Sequence, residues 1–441
     1  MTSAYDTIVV GAGLAGVTAA RELRAQGRRT LLLEAGDRVG GRIRTEEFAG
    51  RPVELGGAWI HWTQPHVWAE LTRYGLTVTG DEEPDEVLIP TEEEPIALPA
   101  DDVLTRVTDL LNRVFRGTDR YFPRPYDPLF RAEALAEFDQ YSLRDWLDRL
   151  ELTPDERTMV TGALSTELGG SSTRGAVSML AQWWALGDLA THGYYSLVSL
   201  RPEAGMGALV EAVLADAGTE LRLGTPVAAI DDDGRRVAVT TRAGERFTAE
   251  HAVVAVPVNV WPDIVFTPGL PAAHTATAAA GVGVPDSVKL WLHVATDRGP
   301  FLAQGSEGAP INTLMPHALV DDGQIMVGFS VDPSLDITDH GAVERAVQRL
   351  VPDAELLAYR AHDWGGDPFA KGGWGNRRPG ALTTSHTELR RPHGRIVFAG
   401  ADLADGWAGC IDGAVESGLK AARQVAGLDA PDGAPGGAPA G

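Results

Sequence analysis

Residues 8–42 read IVVGAGLAGVTAARELRAQGRRTLLLEAGDRVGGR, and this stretch decides the fold. Its apolar runs at residues 7–10 and 30–33 are typical of short buried strands. Between them, residues 14–25 have the composition and length of a helix. The stretch therefore predicts a βαβ unit, the first part of a Rossmann-type domain in an α/β protein.

Three glycines stand where the first strand meets the helix, in the pattern G-x-G-x-x-G. Gly11 permits a tight turn, Gly13 lets the backbone approach a pyrophosphate, and Gly16 lets helix and strand pack closely. The helix N-terminus offers free N–H groups to phosphates, and Glu34, at the end of the second strand, is placed to bind a ribose. The dinucleotide-binding residues predicted from this stretch are Gly11, Gly13, Leu14, Ala15, Gly16, Glu34 and Ala35.

The composition excludes several classes of protein. The chain has 441 residues and a formal net charge of −23, which argues against nucleic acid and anionic membrane surfaces as partners. No apolar run reaches the roughly 18 residues of a membrane helix. Cys410 is the only cysteine, so an intramolecular disulfide or a cysteine-built metal site is excluded, and the histidines are too scattered for a metal site. We expect a cytoplasmic, metal-free protein, with a homodimer left open as its assembly state.

Further segments carry a family resemblance. They are DRVGGR (37–42), ELGGAWIH (54–61), PVAAI (226–230), HDWGGDPFAKGGWG (362–375) and RIVFAGADLADGWAGCIDGAVESG (395–418). In this order they resemble the motifs of the flavin-containing amine oxidase (monoamine oxidase) family. The compact length and the spacing around residues 362–375 are most similar to bacterial members of the 6-hydroxynicotine oxidase type. The resemblance covers nearly the whole chain and implies FAD as the cofactor.

The resemblance also implies where the cofactor binds. Arg42 would contact the pyrophosphate, Gly56 and Gly57 the isoalloxazine ring, and Asp402 the ribityl-phosphate region. A helix beginning near Ile411 would direct its positive end at the pyrimidine edge of the ring. The covalent flavin cysteine of some members falls on Gly373, so the FAD is expected to be non-covalent. The further cofactor-binding residues are Gly41, Arg42, Gly56, Gly57, Ala58, Trp59, Val227, Trp364, Gly400, Ala401, Asp402 and Ile411.

Lys289 is the first candidate catalytic residue. It lies in DSVKLWLHV, where alternation over residues 287–294 predicts a strand with Lys289, Trp291 and His293 on one face. A lysine in so apolar a strand either extends to solvent or points into a cavity. The resemblance implies the second, with Lys289 holding a water at flavin N5. A desolvated lysine there would have a lowered pKa and could help to deprotonate the substrate or to activate oxygen.

Two further candidates correspond to the aromatic cage of the family. The first cage residue matches Trp374, whereas Cys410 stands where a tyrosine is usual. Three roles for Cys410 stay open: a small wall that enlarges the pocket, a reactive thiol, or structural filling away from the substrate. His61, Gln64, Met315 and His317 are the predicted substrate-pocket residues, although loop hydrogen bonding explains the first two equally well. The divergent sequence around Met315 argues against hydroxynicotine itself as substrate.

These observations predict an FAD-binding domain and a substrate-binding domain made of helices and a mixed β-sheet. The FAD-binding domain comprises residues 1–75, 200–265 and 385–427, the substrate-binding domain residues 76–199 and 266–384, and residues 428–441 form a disordered tail. The Pro- and Gly-rich composition of the tail is the reason for that last assignment.

The predicted reaction is FAD-dependent oxidation of a primary or secondary amine. A hydride passes to the flavin, the imine is hydrolysed, and O₂ reoxidises the flavin to give H₂O₂. One alternative is an amine or amide oxidase acting on a bulky biosynthetic intermediate. A C–C desaturase and a non-catalytic flavin-binding protein are the others, and Lys289 and Trp374 weigh against the desaturase.

Overall fold

Two large sheets and a group of helices make up the chain. The structure, a computed structural model, describes residues 5–91, 94–169 and 171–429. The strands are β1 (Tyr5–Val10), β2 (Thr30–Leu33), β3 (Thr45–Phe48), β4 (Arg51–Glu54), β5 (Val78–Gly80), β6 (Glu86–Ile89), β7 (Ile96–Pro99), β8 (Leu200–Pro202), β9 (Glu220–Arg222), β10 (Val227–Asp232), β11 (Val237–Thr241), β12 (Arg246–Val254), β13 (Val265–Thr267), β14 (Val288–Ala295), β15 (Phe301–Gln304), β16 (Thr313–Val320), β17 (Gly323–Ser330), β18 (Glu355–Asp363) and β19 (Ile396–Phe398).

The α-helices connect and cover these strands. They are α1 (Leu14–Ala25), α2 (Pro65–Tyr74), α3 (Ala100–Val114), α4 (Ala132–Phe138), α5 (Leu143–Leu147), α6 (Pro154–Glu167), α7 (Val177–Leu186), α8 (Thr191–Tyr195), α9 (Met206–Ala217), α10 (Ala272–Ala280), α11 (His340–Gln348), α12 (Ala381–Thr384), α13 (His386–Leu389) and α14 (Ile411–Leu428). Within the described ranges, none of these helices combines the length and the apolar composition needed to cross a bilayer.

The first sheet contains the predicted βαβ unit. Its strand order is β13-β10-β11-β12-β1-β2-β9, and β19 pairs with β12. The central strand β1 is parallel to both β2 and β12, as expected when a helix connects consecutive strands. One side of this sheet packs against α1, α9 and α14, where Val9, Val17, Leu209 and Val415 belong to one buried cluster. The fold is therefore of the predicted α/β class.

One sequence prediction in this sheet is wrong in detail. From turn signals at residues 233–234 and 243–244, the sequence predicts a β-meander over residues 225–248, and the apolar residues 252–256 predict a separate buried strand. In the structure a single strand, β12, runs from Arg246 to Val254. Its first half pairs with β11 and its second half with β1 and β19, so one continuous strand serves the meander and the parallel sheet.

The second sheet positions the candidate lysine. Its order is β18-β14-β17-β16-β15-β6-β7, and the pairs are antiparallel except β15 with β6. This mixed sheet agrees with the predicted composition of the second domain. Lys289 lies on β14, the strand between β17 and β18. One face of β14 packs on α11, and the other faces Trp59 and Leu55 of the first part of the chain.

The helices α3 to α8 form a third group with its own apolar core, which includes Leu111, Phe138, Leu164 and Trp184. Helix α6 begins with a capping box, in which the Thr153 side chain accepts from the backbone N–H of Glu156 and the Glu156 carboxylate accepts from that of Thr153. Such reciprocal caps fix the first turn of a helix. The cap fixes where α6 begins, and the helix then extends to Glu167 at its other end.

The domain ranges stay a prediction, but the structure gives two observations on their boundaries. Strand β13 (Val265–Thr267) pairs with β10 and so extends the first sheet past the predicted boundary after residue 265. Helix α14 continues to Leu428, the first residue of the predicted tail. Residues 430–441 of that tail lie outside the described residues.

Candidate active site

One cavity connects the glycine turn after β1 with Lys289 on β14. Its volume is about 1460 Å³, which exceeds the roughly 300–1,000 Å³ of an ordinary small-molecule pocket. Gly13 and Glu34 line one end, and Lys289, Trp374 and Cys410 line another part. The size is sufficient for a dinucleotide together with a second, smaller molecule.

The glycine turn has the geometry of a phosphate-binding cradle. A Cβ added at Gly16 would lie 1.9 Å from the Gly11 carbonyl oxygen, so this glycine is needed for the packing of α1 on β1. At Gly13 a Cβ would meet only backbone atoms of Gly40 and Gly41, at 3.9 Å. Gly13 is the N-cap of α1 and contributes no side-chain cap. The first N–H groups of α1 therefore stay available at the cavity wall, and a dinucleotide pyrophosphate fits there.

Glu34 is held rigidly at the edge of the same cradle. Its Oε2 accepts from the Ala12 N–H at 2.7 Å, and its Oε1 accepts from the Gly36 N–H at 2.8 Å. A carboxylate oxygen has more than one lone pair, so both oxygens can also accept from a ribose hydroxyl. The neighbouring predicted residues Leu14, Ala15, Ala35 and Gly41 also line the cavity, as do Val227, Gly400 and Ala401 farther along the chain.

Arg42 joins distant parts of the chain at the cavity wall. Its Nη1 donates to the Gly373 carbonyl at 2.8 Å, and its Nη2 donates to Asp402 Oδ1 at 2.8 Å. The other Asp402 oxygen faces the Val258 N–H at 3.4 Å. Asp402 was predicted to contact the cofactor, but its carboxylate lies behind the lining residues because Arg42 and the backbone engage it. Its role in this geometry is to hold Arg42.

The turn at Gly56 and Gly57 is enclosed on both sides. A Cβ at Gly56 would lie 2.0 Å from the Arg42 carbonyl oxygen and 2.8 Å from Trp364 Cζ2. At Gly57 it would lie 3.2 Å from Ile411 Cγ1. Trp364 is fixed by a 2.7 Å hydrogen bond from its Nε1 to the Leu55 carbonyl. Glycine is therefore required at Gly56, and the exposed backbone faces the cavity beside Ala58 and Trp59.

The N-terminus of α14 also lies at the cavity. Ile411 is its first residue, Cys410 is its N-cap, and no side chain caps it. Ile411 and Ala414 both line the cavity. The positive end of this long helix therefore favours negative charge at this wall.

Lys289 points into the cavity and not to solvent. Its Nζ donates to the Gly56 carbonyl at 3.0 Å and lies 4.1 Å from the centroid of the Trp59 ring. Burial lowers the pKa of Lys289 to about 7, and the carboxylates of Glu54 and Asp81 only partly oppose that shift. Near neutral pH this amine can therefore gain or lose a proton beside the Gly56 turn.

Trp374 and Cys410 form walls of the same cavity. Trp374 is oriented by a 3.0 Å hydrogen bond from its Nε1 to the Glu167 carbonyl and by an edge-to-face contact with Phe329. Burial raises the pKa of the Cys410 thiol well above its usual range, and the Glu167 and Asp412 carboxylates raise it further. A raised pKa keeps the thiol protonated near neutral pH, which argues against a reactive thiol and is consistent with the small-wall role for Cys410.

The four predicted pocket residues separate into two pairs. Gln64 and Met315 line the cavity, whereas the His61 and His317 side chains do not. His61 stacks against Trp62 and its Nδ1 lies 3.1 Å from Thr63 Oγ1. Local loop contacts therefore explain His61, which was one of the two readings of the sequence.

His317 belongs to a buried polar cluster that reaches the cavity through Asp81 and Trp59. Its Nδ1 lies 2.8 Å from Asp81 Oδ1, which also accepts from Arg201 Nε, and Trp59 Nε1 donates to Asp81 Oδ2 at 2.9 Å. Burial alone would raise the pKa of Asp81, but the hydrogen bonds from His317, Arg201 and Trp59 lower it. That His317 contacts substrate stays a prediction; in the structure His317 does not line the cavity, and the cluster fixes Trp59, which does.

Sequence reasoning missed many of the residues that line the cavity, among them Glu167 and Phe329. Glu167 ends helix α6, and Met159, Ala163 and Thr166 of the same helix also line the cavity. Spacings of three and four residues place such positions on one helix face. That spacing could have identified one face of α6 from the sequence, although it does not indicate that this face borders a cavity.

The fold and the cavity define a dinucleotide-binding oxidoreductase, in which a titratable lysine and an aromatic wall share one space with the dinucleotide cradle. The chain matches the family model of flavin containing amine oxidoreductase over residues 14–426. It is 36% identical to pseudooxynicotine dehydrogenase from Pseudomonas sp., over 96% of this chain and 86% of that protein. It is 33% identical to (S)-6-hydroxynicotine oxidase from Paenarthrobacter nicotinovorans, over 94% of this chain and 97% of that protein.

Solved structures agree on the fold. Cyclohexylamine oxidase from Brevibacterium oxydans superposes with a TM-score of 0.78 at 22% identity, covering 96% of this chain and 99% of that chain. A double mutant of putrescine oxidase gives a TM-score of 0.79 at 21% identity, covering 96% and 99%. Because of the family-model match and the two relatives above 30% identity, the chain belongs to the flavin-containing amine oxidoreductase family, and it is a flavoprotein oxidoreductase acting on amine donors.

Proposed function

We propose that this protein binds FAD non-covalently and oxidises a primary or secondary amine to an imine, with O₂ as the electron acceptor and H₂O₂ as product. The observation that carries the proposal is the single cavity in which Lys289 Nζ, the Gly56 turn and the Trp374 ring lie with the dinucleotide cradle. Non-covalent binding is supported by Gly373 at the covalent position of the family and by the protonated state of Cys410.

Residues of both ends of the cavity would hold the cofactor. The N-terminus of α1 and Arg42 would bind the pyrophosphate, and Glu34 the ribose. The backbone at Gly56–Gly57 would support the ring, with the N-terminus of α14 near its electron-accepting edge. When bound, FAD supplies the acceptor for the hydride that leaves the α-carbon of the amine.

Lys289 accepts the proton that the substrate ammonium must lose before oxidation. An amine must be neutral to lose a hydride from its α-carbon, and most amines reach the protein as ammonium ions. With its pKa lowered to about 7, Lys289 is neutral in part of the population at neutral pH and can accept that proton at Nζ, directly or through a water. Phe329, whose ring centroid lies 5.7 Å from Lys289 Nζ, and Trp374, which contacts Phe329 edge to face, exclude bulk water and orient the substrate.

A second candidate differs only in substrate. Cys410 leaves more space than the tyrosine usual at its position, and the cavity is large. Both observations favour a bulky amine, such as a biosynthetic intermediate, over a slim alkylamine. The proposed cytoplasmic location rests on the sequence composition alone.

Turnover under air across a panel of slim and bulky amines tests the proposal. Peroxide formed in proportion to amine consumed supports an oxidase. Turnover that requires an artificial electron acceptor supports a dehydrogenase. A flavin that no amine reduces contradicts amine oxidation by this protein.

A further inference from the structure

Glu167 places a carboxylate in the amine cavity. It is the last residue of α6, and its side chain lines the cavity close to Trp374 and Cys410. Most of the cavity lining is apolar or aromatic, and it includes Met159 and Trp183, although Thr166 and Thr313 also line it. Burying an ionised carboxylate at such a position costs free energy unless a cation or a hydrogen-bond donor in the cavity pairs with it.

The protein itself provides no cation for Glu167. Among the described residues, none donates a hydrogen bond to its carboxylate and none forms an ion pair with it, although its backbone carbonyl accepts from Trp374. The titratable groups that face it are Tyr194, Tyr195 and Cys410, all of which are uncharged when protonated. Burial raises the pKa of Glu167 to about 7.

The helix end adds a second reason to expect a cation. The last turn of an α-helix carries a partial negative charge from its free carbonyls, and it stabilises positive groups placed near it. Helix α6 spans Pro154–Glu167, long enough for this effect, and contains no basic side chain in its last turn. The carboxylate and the helix end therefore attract positive charge to the same part of the cavity.

Glu167 acts separately from Lys289. The charged groups that influence Lys289 are Glu54, Asp81 and Arg201, and Glu167 is not among them. The cavity, which other polar side chains such as Gln64 and Asp81 also line, therefore holds both the proton-accepting Nζ at the Gly56 turn and an unpaired carboxylate at the end of α6.

We propose that the Glu167 carboxylate binds a second, cationic nitrogen of the substrate. The amine group that loses its proton to Lys289 then belongs to a molecule with at least two basic nitrogens. This inference rests on the proposed function, since it assigns the substrate class of the same site. It also explains why the Glu167 carboxylate lies in a largely apolar cavity without an ion-pair partner among the described residues.

The test compares the parent holoenzyme with Glu167→Gln, which keeps the shape of the side chain and removes its charge. Asp155→Asn is the matched control, because Asp155 is an exposed acid on the same helix. The probes are α,ω-diaminoalkanes of graded chain length and the matching n-alkylamines. We expect the parent to prefer the best diamine over its monoamine by about tenfold or more in kcat/KM, equivalent to about 1.4 kcal/mol.

Glu167→Gln should lose this preference mainly through KM, and Asp155→Asn should keep it. In the parent the preference should increase with pH through about 7, as Glu167 ionises. Equal preference in parent and Glu167→Gln, or no preference in the parent, overturns the proposal while leaving amine oxidation intact.

A binding measurement does not depend on turnover. Bis-quaternary alkylammonium ions lack the nitrogen lone pair that oxidation requires, so they report recognition alone. We expect them to perturb the flavin absorbance of the parent and of Asp155→Asn at lower concentration than the mono-quaternary ions, and to lose that advantage in Glu167→Gln. An advantage that persists in Glu167→Gln overturns the proposal even if no amine reduces the flavin. Melting temperature and flavin content verify that each variant is folded.

Discussion

At the scale of single residues, the chemistry depends on the protonation of Lys289. Its Nζ is buried, donates to the Gly56 carbonyl and has a pKa lowered to about 7. Glu54 and Asp81 keep that pKa from being lower still. The same side chain would be fully charged at neutral pH on the surface, so the fold gives Lys289 a property that its residue type lacks.

We expect Lys289→Met to retain FAD and to reduce the rate of flavin reduction by roughly 10²- to 10⁴-fold, the range for general acid–base residues. In the parent this rate should increase with pH through about 7, because the neutral amine predominates above its pKa. That rise should disappear in Lys289→Met. The measurement is rapid mixing with an amine in the absence of oxygen, at several pH values.

Lys371→Met serves as the control, since Lys371 pairs with Asp263 and does not contact Lys289. It should keep the pH-dependent rise. An unaltered rate in Lys289→Met removes the lysine from the mechanism.

The small side chain of Cys410 leaves space for substrate in the pocket. Cys410→Tyr should reduce kcat/KM for bulky amines by at least about tenfold while slim amines are affected less, because a ring fills space that the thiol leaves open. Cys410→Ser, which is similar in size, should behave like the parent. Identical kinetics of Cys410→Tyr with every amine would show that residue 410 does not face the substrate.

At the scale of elements, Gly13 and Gly16 in the turn between β1 and α1 have different functions. Gly16 permits close packing within the protein, whereas Gly13 leaves space in the cavity. Gly13 has φ −69° and ψ 171°, which alanine adopts without strain. Substitution at the two positions should therefore damage different properties.

We expect Gly13→Ala to leave the stability of the FAD-free protein unchanged and to weaken FAD binding by roughly tenfold or more, as overpacking costs about 1–3 kcal/mol. Gly16→Ala should lower the stability of the FAD-free protein itself, since its Cβ would lie 1.9 Å from a carbonyl oxygen. Thermal unfolding with and without FAD measures both effects. Gly427→Ala, with no atom within 4 Å of the added Cβ, is the control. Unweakened FAD binding in Gly13→Ala contradicts the cradle.

Sequence reasoning succeeded where local periodicity fixes the structure. Helix α1 and strand β2 have the predicted bounds, and Lys289 lies on a strand as its alternation indicated. It failed where a side chain's partner is distant in sequence. Asp81 engages His317 across 236 positions, and nothing near His317 in the chain indicates this pairing. Glu167 was missed for a different reason: periodicity indicates a face of α6, but only tertiary packing brings that face to the cavity.

At the scale of the whole molecule, the cavity exists because separate parts of the chain enclose it. Arg42 binds both Gly373 and Asp402, and the Gly56 turn lies between Trp364 and Ile411. These contacts bring the dinucleotide cradle of the first sheet to the lysine of the second. The central claim is that this one space holds FAD and the amine together.

Anaerobic addition of an amine to the purified protein tests that claim most directly, with the flavin absorbance as the signal. The account predicts a yellow protein whose visible bands bleach at a rate that saturates with amine concentration. A protein that stays colourless after incubation with FAD would contradict it. So would yellow protein that a chemical reductant bleaches and that no amine does.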